Sequence, residues 1–238
     1  MGQERTNTLQ ESGEGRRLLL ALGMALAVAA GMGSLGYMML RAVSQDMRMQ
    51  SIAFLVYAAL TMTLWFFFKP TTQPPIEFRY TGLKYLLASI AVLFGTLLAA
   101  ILLYYLLGSV LGSFRDVTKQ IVGFATDAKR LQGKPLAAWG IAVPRGCLLA
   151  PLFEEVLFRG LLLSWLLKHL REELAIIIIA ALFALGHGSF LLAPYALLFG
   201  ITMGYVKLRT GSALNTWIMH CLHSVILLSV GLMLFPPT

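Results

Sequence analysis

Residues 85–112 read YLLASIAVLFGTLLAAILLYYLLGSVLG, 28 residues without one charge. At about 1.5 Å of rise per helical residue, such a run can cross a hydrocarbon core of about 30 Å, and roughly 18 or more uncharged apolar residues mark a transmembrane helix. Comparable runs fall at 18–40, 52–68, 139–167, 174–192, 195–206 and 213–235. The alternating ten-residue segments that would signal an outer-membrane barrel do not occur. The expected fold is all-α: a polytopic transmembrane helical bundle of about six to eight spans. The range arises because 195–206 is short and either tilts, breaks at Pro194 or joins its neighbour.

Composition agrees. Of 238 residues 58% are hydrophobic and 13% charged, with mean hydropathy +0.77; soluble domains carry about 25% charged residues, so a soluble domain is excluded. The net charge of +8 reads as the cationic excess that membrane proteins keep in their inside loops, not as a nucleic-acid footprint. Cys147 and Cys221 lie apart in apolar segments, which argues against a disulfide framework or a cysteine metal site. Four regions follow. Residues 1–17 form a polar tail ending in Arg16-Arg17, and 18–112 hold the N-terminal transmembrane helices, the first (18–40) too long for a cleaved signal core and read as a retained anchor. Residues 113–138 form a basic linker in which Arg115, Lys119, Lys129, Arg130 and Lys134 mix with Ile121, Val122, Phe124 and Leu131, suited to a membrane interface. Residues 139–235 form the helical core that carries the polar motifs. Gly31, Gly33 and Gly36 spell a dinucleotide fingerprint, but inside an apolar helix without the strand that gives those glycines their task.

Of the eleven acidic residues only Glu154 and Glu155 fall inside a span. An ionisable side chain at membrane depth costs about 2.5–3.5 kcal/mol on insertion scales, so both carboxylates need a partner, a wet cavity, or both. Glu155 and Arg159 are spaced for an (i, i+4) ion pair, whereas Glu154 points about 100° away around the helix. One carboxylate is thereby neutralised and the other left free to work as a general base. Three of the four histidines, His187, His220 and His223, also fall within spans. Phe183 shares a face with His187, and Ser224 with His220, so each imidazole has a neighbour placed to hold it.

The order EExxxR (Glu154, Glu155, Arg159), FxxxH (Phe183, His187), Gly200-xxx-Gly204, Arg209-Thr210-Gly211-Ser212 and a helix bearing His220 resembles the CPBP family of intramembrane glutamic endopeptidases, the CAAX protease and bacteriocin-processing family. The similarity covers roughly residues 139–235. It implies a multi-pass protease of the cell membrane, of the prokaryotic cytoplasmic kind, that hydrolyses a membrane-associated or lipidated peptide or protein, with the bilayer as its second partner, no nucleic acid and no cofactor. Under the resemblance Glu154 is the catalytic carboxylate and His187 its partner in activating water. Glu155 and Arg159 hold and tune Glu154, Phe183 supports His187, and His220 stabilises the oxyanion. The family's last motif is usually HxxxN, and here Ser224 stands at its fourth place. A shorter hydroxyl in place of an amide removes a donor of the kind worth about 2.7–4 kcal/mol in acyl transfer. Asn215, His223 or a bound water are the candidate replacements.

Three other readings stay open on the residues alone. A catalytically impaired family member could serve as a membrane scaffold or regulator. Glu154, His187 and His220 form a ligand set known from hydrolytic zinc sites, although the HExxH spacing is absent. A proton-coupled transporter also uses Glu and His relays, but would carry a counterpart of the carboxylates in its other half.

Overall fold

The computed structural model describes residues 77–111, 131, 133–134, 136–187 and 191–234, with isolated helical positions at 20, 23, 51–52, 55–56, 58–59 and 62–63. The anchor expected at 18–40, the polar tail, the glycines at 31–36 and most of 52–68 and 113–138 lie outside the described residues. The chain divides into two compact units, Met1–Pro74 and Pro75–Thr238. The second holds every motif residue.

Among its described residues that unit is all-helical. After an extended segment at 77–80 come α1 (Leu83–Leu111), α2 (Leu136–Leu166), α3 (Glu172–Gly186), α4 (Ala193–Thr210) and α5 (Ala213–Leu234). Among the described residues, three segments are long and apolar enough to cross a membrane: Leu83–Leu106, Leu136–Leu166 and Ala213–Leu234. On α1, Phe94, Leu98, Ile101, Leu102, Tyr105 and Leu106 are exposed, an outward face suited to hydrocarbon solvent. The expected span at 174–192 is corrected: α3 is only 15 residues and stops at Gly186, with His187 as its C-cap. At 1.5 Å per residue it reaches about 22 Å, short of the hydrocarbon thickness. Pro194 does not break the next helix but opens it, in the first turn of α4, where a missing N–H costs nothing.

Two wide π turns interrupt α2, at Arg145–Leu149 and Glu155–Leu162, with an ordinary α stretch Ala150–Glu154 between them. Pro144 and Pro151 flank the first; each withholds an N–H and crowds the preceding turn, and a wider turn relieves that crowding. Trp217 of α5 donates its indole N–H to the Leu148 carbonyl at 3.1 Å, tying α5 to this irregular stretch. The second π turn carries Glu155 and Arg159.

The core gathers Leu93 of α1, Phe183 and Ala184 of α3, Phe199 and Met203 of α4, and Met219 of α5. Leu163 of α2 packs on Ala175, Ile176 and Ile179 of α3. Gly200 and Gly204 form a small-residue face on α4 that packs on α3. A Cβ at Gly200 would lie 2.9 Å from the Ala180 Cα, and one at Gly204 3.0 Å from the Ile176 Cγ2, so α3 and α4 approach closely because these positions lack side chains. Between α4 and α5, Gly211 adopts φ 66°, a left-handed cap whose N–H bonds the Lys207 carbonyl at 2.8 Å. The turn is clamped to the extended segment: Ala213 N–H donates to the Glu77 carbonyl at 2.8 Å and Ser212 Oγ to the Arg79 carbonyl at 2.7 Å.

The two glycines should respond unequally to alanine. Gly200→Ala meets backbone and is expected to cost about 1–3 kcal/mol, as overpacking does, whereas Gly204→Ala meets the end of an isoleucine and should cost less. Thermal unfolding of the two purified variants in the same detergent gives the order; equal midpoints would contradict the contact assigned to Gly200.

Candidate active site

Glu155 and Arg159 are both fully buried, and their side chains form an ion pair, Nη1 to Oε1, at 3.2 Å. Two charges removed from water in this way need further partners, because desolvation otherwise outweighs their attraction. Those partners come from three other helices. Arg159 Nη2 donates to the Gly200 carbonyl of α4 at 3.5 Å. Its guanidinium lies 4.7 Å from the centre of the Phe183 ring of α3 and 5.9 Å from that of Phe158. Glu155 Oε1 accepts a hydrogen bond from His220 Nδ1 of α5 at 3.0 Å.

Glu155 thus meets His220 as well as Arg159. A carboxylate only accepts, so His220 must carry a proton on Nδ1, and the pair thereby orients His220. The other ring nitrogen, Nε2, faces Glu154 Oε2 at 3.7 Å. Glu154 Oε2 is itself buried and has no hydrogen-bond partner, although the side chain as a whole keeps 23% of its surface exposed. The two adjacent glutamates thus have different surroundings: Glu155 is fully buried against Arg159, and Glu154 keeps part of its side chain exposed.

Phe183 joins the second histidine to this group. Its ring meets that of His187 at 4.6 Å and that of His220 at 6.0 Å between centroids. His187 Nδ1 donates to the Phe183 carbonyl at 2.8 Å, which leaves Nε2 with the lone pair in the neutral ring. Because α3 ends at Gly186, His187 is exposed at the helix terminus instead of buried two thirds along a span. Ser224 lies half-buried one turn beyond His220 on α5. Asn215 is committed elsewhere: its amide N–H₂ donates to Thr81 Oγ1 at 3.0 Å and Ser89 Oγ at 3.4 Å. Among the described residues, no group of three or more His, Cys, Asp or Glu side chains is arranged to hold a metal ion.

Residues 136–226 match the family model for type II CAAX prenyl endopeptidases, Rce1-like. The matched segment begins with α2 and contains Glu154, Glu155, Arg159, Phe183, His187 and His220. No curated protein and no solved structure matches the chain.

Sequence reasoning missed Tyr195 and Phe199 of α4. Phe199 meets His220 edge-on at 5.1 Å and stacks on His223 at 4.3 Å, and the Tyr195 hydroxyl shares a hydrogen bond with His223 Nε2. The available signal was their i, i+4 spacing, which puts both rings on one face of α4.

The buried ion pair is open to test. Arg159→Met should leave Glu155 as an uncompensated buried charge and cost about 3–5 kcal/mol. Adding Glu155→Gln should recover part of that loss. Chemical unfolding of the single and double variants measures it, and a double variant less stable than Arg159→Met would contradict the pairing.

Proposed function

We propose that the protein is an intramembrane endopeptidase of the glutamic type, held in the cell membrane by six to eight spans. Its substrates are peptides or proteins whose cleavage site reaches the membrane, and the family description favours lipidated C-termini. The observation that carries this reading is Glu154, a partly exposed carboxylate whose Oε2 has no hydrogen-bond partner and lies 3.7 Å from His220 Nε2.

In this mechanism Glu154, aided by the free Nε2 of His187, takes a proton from water as the water oxygen attacks the scissile carbonyl. Negative charge develops on the carbonyl oxygen and is met by His220. Since His220 Nδ1–H is committed to Glu155, Nε2 can donate only in the imidazolium form. Glu154 then passes its proton to the leaving amine. The site works away from bulk water, where fixed donors stabilise developing charge most strongly.

The test is cleavage of a prenylated C-terminal peptide by purified protein in liposomes. Glu154→Gln keeps the shape and removes the base, and should abolish cleavage while leaving the unfolding midpoint near that of the parent. His187→Ala should lower kcat by a factor of about 10² or more. Undiminished cleavage by Glu154→Gln would refute the assignment. Ser224→Asn supplies the amide usual in the family and should raise kcat; an unchanged kcat would mean that another donor already serves the oxyanion.

A further inference from the structure

The mechanism above leaves one buried polar pair unused. Tyr195 and His223 are both buried, on α4 and α5, and are joined by a hydrogen bond between the tyrosine hydroxyl and His223 Nε2. Their surroundings are the apolar core, where a polar pair without a task is a cost. Their rings are in register with the candidate site. His223 is stacked on Phe199, with centroids 4.3 Å apart and planes at 27°, and Phe199 meets His220 edge-on at 5.1 Å and 69°. Tyr195 stacks on the same Phe199 at 6.3 Å and 20°. On the other side of His220 stands Phe183, at 6.0 Å and 67°. The His220 plane is thus set by a polar contact at Nδ1 and by two phenylalanine rings, one of which rests on the Tyr195–His223 pair.

We propose that Tyr195 and His223 are positioning residues for the reaction: their hydrogen bond fixes Phe199, and Phe199 holds the His220 ring in the plane that presents Nε2 to the reacting carbonyl. The assignment rests on the role given to His220 under Proposed function. It extends that role to two residues outside the EExxxR and FxxxH motifs. His223 Nδ1 has no hydrogen-bond partner, so the bond to Tyr195 is the polar contact that sets the rotation of the His223 ring. An edge-on aromatic contact cannot itself transfer a proton, so the pair acts through geometry. Displacing a reacting group by about 1 Å can cost about 10²-fold in rate, so a partial loss of alignment should be visible as a fall of about tenfold.

The experiment uses three variants in liposomes: Tyr195→Phe, His223→Phe and the double variant. Each keeps a ring against Phe199, and each lacks the same hydrogen bond. The expected result is a kcat about tenfold below the parent in all three, with KM within about twofold and no additivity in the double variant. Selectively ¹⁵N-histidine-labelled protein supplies a second readout. The His220 ring resonances should move in Tyr195→Phe, whereas a role confined to local stability would move those of His223 alone. Unchanged kcat in folded Tyr195→Phe, or His220 resonances that stay in place, would overturn the proposal. Should Glu154→Gln cleave normally, the role given to Glu154 under Proposed function would fail by that result, and the His220 resonances would still decide whether the pair positions the ring.

Discussion

The site depends on one constraint: Glu155 and Arg159 are buried charges that cannot be left unpaired. Their 3.2 Å contact sits in a π turn of α2, and each recruits a group from another helix. Glu155 takes the His220 N–H of α5, and Arg159 takes the Gly200 carbonyl of α4 and the Phe183 face of α3. A displacement of any of these helices would leave a desolvated charge with less compensation, at a cost comparable to much of a domain's net stability. The ion pair therefore fixes the relative placement of four helices around Glu154.

The close contact of α3 and α4 serves the same end. Gly200 lets the backbones approach at Ala180, and the same residue's carbonyl is thereby brought within reach of Arg159. Phe183 faces Arg159, His187 and His220 together, so the phenylalanine of FxxxH is a shared wall for one cation and two imidazoles. A smaller apolar residue would leave all three without a side to rest against. The offset of four positions from Phe183 to His187 puts the imidazole one turn further, at the end of α3, where the ring leaves the core for the accessible side.

Much of this was legible in the sequence because it is local. The spacing of Glu155 and Arg159, of Phe183 and His187, and of Gly200 and Gly204 each places two residues on one helix face, and hydropathy marks α1, α2 and α5. What hydropathy does not mark is a helix end inside an apolar run. The stretch 174–192 reads as one apolar run, yet the helix stops at Gly186 with His187 as its C-cap. The π turns were equally hidden, since composition does not distinguish i+5 from i+4 pairing. Tyr195 and His223 are 28 residues apart on different helices, and no period connects them.

The place of Ser224 follows the same logic of competing demands. A buried amide must satisfy its own hydrogen bonds before it can serve a substrate. Asn215 lies on the same helix as His220, but its N–H₂ group is consumed by Thr81 and Ser89, where it fastens the start of α5 to the segment leading into α1. An asparagine at that point stabilises the fold and is withdrawn from the chemistry. The donor usually found one turn beyond His220 is thus not replaced by the other amide on α5. The work of fixing His220 falls instead on Glu155 from below and on the aromatic shell of Phe183 and Phe199 from its flanks, with the single Nε2 edge of the ring turned toward Glu154.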